Sequence, residues 1–175
     1  QLYNFILPLF RNEPFRRLRL IRAACLLHDV NWRAHPDYRA DACFDNATQA
    51  NLGGLTHSER VFIGLALLYR YRRNRDGSRF EHLLALLDPK EIQLAEVLGR
   101  AMRFGAMRWA MDSDHTDDLT WAPKKKILGL TLTETSAPLF GEVAEARFKS
   151  LAAALGAETD IRTKKPKRIS GPKVS

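Results

Sequence analysis

The 175-residue chain has only two cysteines and five histidines, and nowhere does it run 18 apolar residues in succession. Cys25 and Cys43 have neither a metal-ligand spacing nor the density of a disulfide scaffold, so they read as buried, reduced thiols of a cytoplasmic protein. The opening "LYNFILPLF" is too short to span a bilayer and is broken by Pro8, so no membrane segment is expected. Gln1 leads straight into that stretch without a charged leader or cleavage site; no signal peptide is read, and the chain looks cut from something longer. Glycine-rich phosphate loops are missing as well, which excludes a P-loop or a dinucleotide fingerprint. No Ser-His-Asp or Cys-His arrangement has supporting context, and no internal repeat is found. Trp32 and Trp109 are expected in the core.

What is present is an ordinary apolar share of 45%, enough for one domain or for one domain with an appendage, and a formal charge of +8. That charge is uneven. From Arg162 onward there are six basic residues and no acids, which leaves a balance of only +2 before this tail. Residues 11–39 hold seven Arg against three acids and residues 60–79 hold six Arg, whereas residues 80–121 hold eight acids against four bases. Such segregation builds a basic face that attracts polyanions.

Hydrophobic periodicity predicts a mainly α fold. One helix is expected over 14–29, with Pro14 in its first turn and Leu18, Ile21, Cys25 and His28 on one face. A second over 37–51 is stopped by Gly53 and Gly54, and a third opens at the "THSE" capping box of Thr56 and Glu59 and runs to about Arg73. After the "NRDGS" turn come a short helix over 80–87 and a long one that starts at Asp88-Pro89 and ends near Asp112. Leu94, Leu98, Ala101, Gly105, Arg108 and Asp112 share a stripe of it. "KKILGLTLT" alternates Ile127, Gly129, Thr131 and Thr133 against Leu128, Leu130 and Leu132, the period of a strand, and a last helix closes at Gly156. The expected organisation is a helical domain over 1–114, a small α+β appendage over 115–161 and a basic, disordered tail over 162–175.

Two constellations carry chemistry. "LLHDVNWRAHPDYRAD", residues 26–41, ends an apolar run on His28-Asp29. A His-Asp pair becomes a metal site when further ligands converge from other helices, and Asp112 is placed to be a distant one. The His that would precede the pair is missing, since residues 1–27 contain none. His28, Asp29 and Asp112 are therefore candidates for a degenerate site, with no metal expected, and the His-Asp pair is expected buried and satisfied, organising helix ends. The second constellation, "YRYRRNR", puts Arg70, Arg72 and Arg73 at a helix C-terminus, which the macrodipole alone could explain. Phosphate binding is the functional reading, because the planar guanidinium fork holds phosphate oxygens bidentately. Arg33 and Arg39 could join that patch.

The segments "AACLLHDVNWRAHPDYRAD", "GLTHSERVFIGLALLYRYRR" and "LGRAMRFGAMRWAMD", in that order, resemble the C-terminal helical domain of the exopolyphosphatase and guanosine pentaphosphate phosphohydrolase family, in its alphaproteobacterial form. The resemblance covers about residues 1–160. It implies an HD-like fold without catalytic residues of its own, joined in the whole enzyme to actin-like domains that hold Mg²⁺ and cleave a phosphoanhydride. It also implies a homodimer and a basic channel for inorganic polyphosphate or guanosine pentaphosphate, with Arg33, His35, Arg39, Arg70, Arg72 and Arg73 as substrate contacts. No cofactor is expected in this piece alone. Members of the family often carry Tyr-His-Arg where this chain has Tyr71 between Arg70 and Arg72, so a possible His ligand is lost. An independent HD-type metal phosphohydrolase using His28, Asp29 and Asp112 is the alternative. Nucleic acid is disfavoured as a partner, because the body carries little net charge and shows no reader motif.

Overall fold

The computed structural model describes residues 1–50, 53–75, 79–111 and 117–164. It is mainly α: helices α1 (Leu2–Ile6), α2 (Phe15–Leu27), α3 (Pro36–Gln49), α4 (His57–Tyr71) and α5 (Pro89–Met111) precede strands β1 (Asp118–Ala122) and β2 (Ile127–Thr133), helix α6 (Glu142–Leu155) and strand β3 (Glu158–Lys164). No helix among the described residues is long and apolar enough to cross a membrane.

Helix α4 is the axis. Val61 to Tyr69 are all buried, because α2, α3 and α5 pack around it and a helix apolar on every side can only be an interior one. Its start is the expected capping box: the Glu59 amide donates to Thr56 Oγ1 at 3.3 Å and the Thr56 amide to Glu59 Oε2 at 2.8 Å. Helix α5 opens the same way, Asp88 and Glu91 exchanging bonds of 2.8 and 3.1 Å. The close crossing of α4 and α5 needs Gly99, where a Cβ would collide with Tyr69 Cβ and the Ala66 carbonyl.

The C-terminal sheet has the order β1-β2-β3, with β1 antiparallel and β3 parallel to β2. Leu128, Leu130 and Leu132 face inward as the alternation predicted. Helix α6 is the crossover between the parallel strands and lays Phe148, Leu151 and Ala152 on α5. It ends at Gly156 in the left-handed conformation, φ 61°.

Several expectations are corrected. Pro14 caps α2 instead of entering its first turn. The short helix expected over 80–87 is present as a 3₁₀ helix, Glu81–Leu86, and not as an α-helix. The single expected strand is one of three, and β3 carries the sheet through Arg162 to Lys164, into the segment expected as tail; residues 165–175 lie outside the described residues. Trp32 is 58% exposed, since it sits in the turn between α2 and α3, where its ring faces the Arg33 guanidinium 5.0 Å away. The Trp109 side chain lies outside the described residues.

Candidate functional site

The His-Asp stretch folds as the turn between α2 and α3, and Arg70 closes it. Arg70 Nε donates to His28 Nδ1 at 3.4 Å, and its Nη2 lies 3.8 Å from Asp29 Oδ1. Tyr71 donates its hydroxyl to the His28 carbonyl at 2.5 Å, and the Arg70 guanidinium lies over the Tyr71 ring, 4.8 Å from the ring centroid. Burial, followed by the Arg70 charge, holds the His28 imidazole below its ordinary pKa. His28 is half-buried, but Asp29 is largely exposed at 65%, so the expected buried pair is only half right. A guanidinium thus stands between the two groups that would begin a metal site. Among the described residues no three His, Cys, Asp or Glu side chains converge for an ion, and Asp112 lies outside them.

Most of the other predicted contacts are also engaged at this corner. Arg39 donates to the carbonyls of Trp32 at 2.7 Å and Ala34 at 3.0 Å. Arg72 pairs with Asp41 at 3.3 Å. His35 caps α3, its Nδ1 accepting from the Asp37 amide at 3.3 Å. Arg33 is exposed beside Trp32, and Arg73 is exposed just beyond the end of α4. Cys25 and Cys43 are free and buried as expected, and burial pushes the Cys25 thiol up to about 12.

Arg73 points toward a different place. It lines a cleft of about 440 Å³ with Arg100, Arg103, Arg147, Glu142 and Ser150. Arg100 and Arg103 share one side of α5 at helical spacing, and Arg147 and Ser150 do so on α6. Phe104 and Phe148, the residues next to Arg103 and Arg147, pack with centroids 5.2 Å apart. That aromatic contact in the core fixes the two helices so that the neighbouring arginines meet at the surface.

The four arginines are not equivalent. Arg100 is held by Glu96 at 2.6 Å, by the Ser150 hydroxyl and by the Arg73 carbonyl. Arg103 and Arg147 are half-buried and have no hydrogen-bond or carboxylate partner among the described residues. Burial, then the charges of Arg147, Arg70, Arg100 and Arg73, lower the Arg103 pKa, and burial with Arg70 does the same to Arg147. Glu142 lines the cleft and Glu96 holds Arg100, so the surplus positive charge there lies on Arg103, Arg147 and Arg73, and guanidiniums without acceptors have the donor set that oxyanions suit. Beyond Arg100 the cleft continues into a depression of about 520 Å³ that adds Lys149 and Gln93 together with Glu96, the partner of Arg100. An apolar cavity of about 440 Å³ below the 27–31 turn, lined by Leu27, Val30, Cys43 and Ala47, carries no charged side chain and suits no phosphate.

Residues 11–161 match the family model described as exopolyphosphatase, C-terminal. The chain belongs to that family. None of the curated proteins matches it.

Within this exopolyphosphatase C-terminal domain, sequence reasoning missed Arg100, Arg103 and Arg147. They lie in segments whose net charge is acidic or balanced, so no local basic run marks them. The available signal was Arg at i and i+3 on the long helix, together with one Arg beside a core Phe on the last.

Proposed function

We propose that this chain is the polyphosphate-gripping, dimer-forming C-terminal domain of an exopolyphosphatase, with the arginine cleft between α5 and α6 as its grip. The carrying observation is the pair of half-buried, unpartnered guanidiniums of Arg103 and Arg147 beside Arg73 and Arg100. An elongated groove with several cations suits a chain of phosphates held at many points, which raises avidity and slows its escape between cleavages. Inorganic polyphosphate fits this reading better than guanosine pentaphosphate, because the lining of the two depressions includes no aromatic ring to receive a base. Hydrolysis of the terminal phosphoanhydride belongs to actin-like domains outside this chain, where Mg²⁺ acts, in a cytoplasmic enzyme. The domain alone is inactive.

Arg33 and His35, exposed on the far corner, are secondary contacts in this reading. Arg39, Arg70 and Arg72 shape that corner, since their donors already have acceptors. The test is competition between medium-chain polyphosphate and duplex DNA at one ionic strength, with the chain intact and with it ended after Lys164. Polyphosphate preference retained by the shortened chain supports the reading. Binding that vanishes with residues 165–175 means that the basic tail, not the cleft, holds polyanions.

A further inference from the structure

Strand β3 is an edge, and its sequence is complementary to itself. Among the described residues no strand pairs its outer side, whereas β1, the opposite edge, rests against the N-terminal turn at Leu7–Phe10. The Glu158 amide donates inward to the Lys126 carbonyl at 2.9 Å. By the two-residue period, the backbone groups of Thr159, Ile161 and Thr163 therefore point away from the sheet. An exposed row of this kind is a template for another strand.

We infer that β3 pairs antiparallel with β3 of a second copy, about a two-fold axis at Ile161, joining the two sheets into one. This rests on the dimeric part of the reading above and not on the arginine cleft. In that register Ile161 faces its own mate and Thr159 faces Thr163, each pair exchanging both backbone hydrogen bonds. On the other face Asp160 meets Arg162 of the second copy, and Glu158 meets Lys164. Shifting the register by two residues in either direction places Arg162 on Arg162 or Asp160 on Asp160 and leaves two opposite-charge contacts in place of four, so the neighbouring alignments are the poorer ones. Charges that blunt an edge against other strands thus permit this one.

The apolar side agrees. Leu119 pairs with Leu130, and Leu130 with Ile161, a row that starts buried and ends at an Ile161 that is 39% exposed. A second copy continues the row through its own Ile161. The symmetric, self-matching contact is the form that closed dimers take.

The test uses sedimentation velocity of the chain over a concentration series, with circular dichroism confirming that each variant is folded. The wild type shifts from 19.9 kDa toward twice that mass. Asp160→Arg and Arg162→Asp each weaken association at least about tenfold, because like charges then face each other twice across the axis. An equimolar mixture of the two variants associates again, since two arginines on one strand then oppose two acids on the other at positions 160 and 162 only in the mixed pair, and the Asp160–Arg162 contact within a strand stays broken in both. A wild-type dimer indifferent to both reversals overturns the edge pairing while leaving dimerisation standing. A wild-type monomer throughout overturns both. Dimerisation seen only when the chain ends after Lys164 overturns the pairing in favour of residues 165–175 occupying the edge.

Discussion

Arg70 and Arg103 carry the same guanidinium on adjacent helices of one bundle, yet one is surrounded by acceptors and the other by cations. At the corner where α2 meets α4, Arg70, Arg39 and Arg72 reach His28, Asp29, Asp41 and backbone carbonyls. In the cleft between α5 and α6, burial and the charges of Arg147, Arg70, Arg100 and Arg73 oppose the Arg103 charge, and burial and Arg70 oppose that of Arg147. On the proposed reading, the number of arginines in a segment says little about where a polyanion binds. What matters is which of them the fold leaves without a partner.

A third arginine, one and a half turns beyond Arg103 on the same helix, sharpens the contrast most. Arg108 is 1% exposed and ion-paired with Asp117, whose other oxygen accepts from the Thr133 amide at 3.0 Å and from the Ser136 hydroxyl. Asp117→Ala leaves that cation buried and alone, and is expected to cost about 3–5 kcal/mol. Arg103→Ala is expected to leave stability unchanged or raise it, since burial and repulsion already oppose the Arg103 charge. Urea unfolding midpoints of the two variants check this, and a cost for Arg103→Ala comparable to that for Asp117→Ala removes the distinction between a paired and an unpaired arginine.

The corner differs from the cleft in its response to pH, a smaller effect. Because His28 is held below its ordinary pKa near 6.5, the unfolded chain takes up a proton on descending through that value while the folded chain resists it. Stability therefore falls as the pH drops below about 6.5, and His28→Gln flattens this slope. Glu59 does not confuse the window. Burial pushes its carboxyl up, but the Thr56 amide and Arg16 outweigh that and hold it at about 2, so its contribution is lost only as pH falls from about 4.5 toward 2. Denaturation midpoints at pH 7.5 and 5.5, wild type against His28→Gln, separate the two groups. An identical slope in the variant removes His28 as the cause.

Helices were legible where local chemistry specified them: the capping box at Thr56, the Asp88-Pro89 start and the Gly156 stop all lie where their side chains demand. Sheet partners were less so, because β3 is a polar, exposed strand whose only strong signal is its place beside β2. The His28-Asp29 pair was visible as a motif. That Arg70 would stand beside both depended on a contact 42 residues away in sequence. The cleft was hidden for the same reason: its arginines come from α5, α6 and the segment just after α4, and the Phe104–Phe148 contact that brings α5 and α6 together is a property of packing.

The proposed grip lies in the cleft and not at the corner. The most direct measurement is medium-chain polyphosphate binding across a salt series for wild type, Arg103→Ala/Arg147→Ala and Arg39→Ala/Arg72→Ala. The two double variants remove the same formal charge, so general attraction falls equally in both. The account predicts that the Arg103/Arg147 variant loses roughly 10–100-fold in affinity, the scale of one or two charge-assisted hydrogen bonds, and shows a shallower salt dependence, while the Arg39/Arg72 variant loses only a few-fold. Equal losses in the two variants, or a larger one at the corner, contradict it.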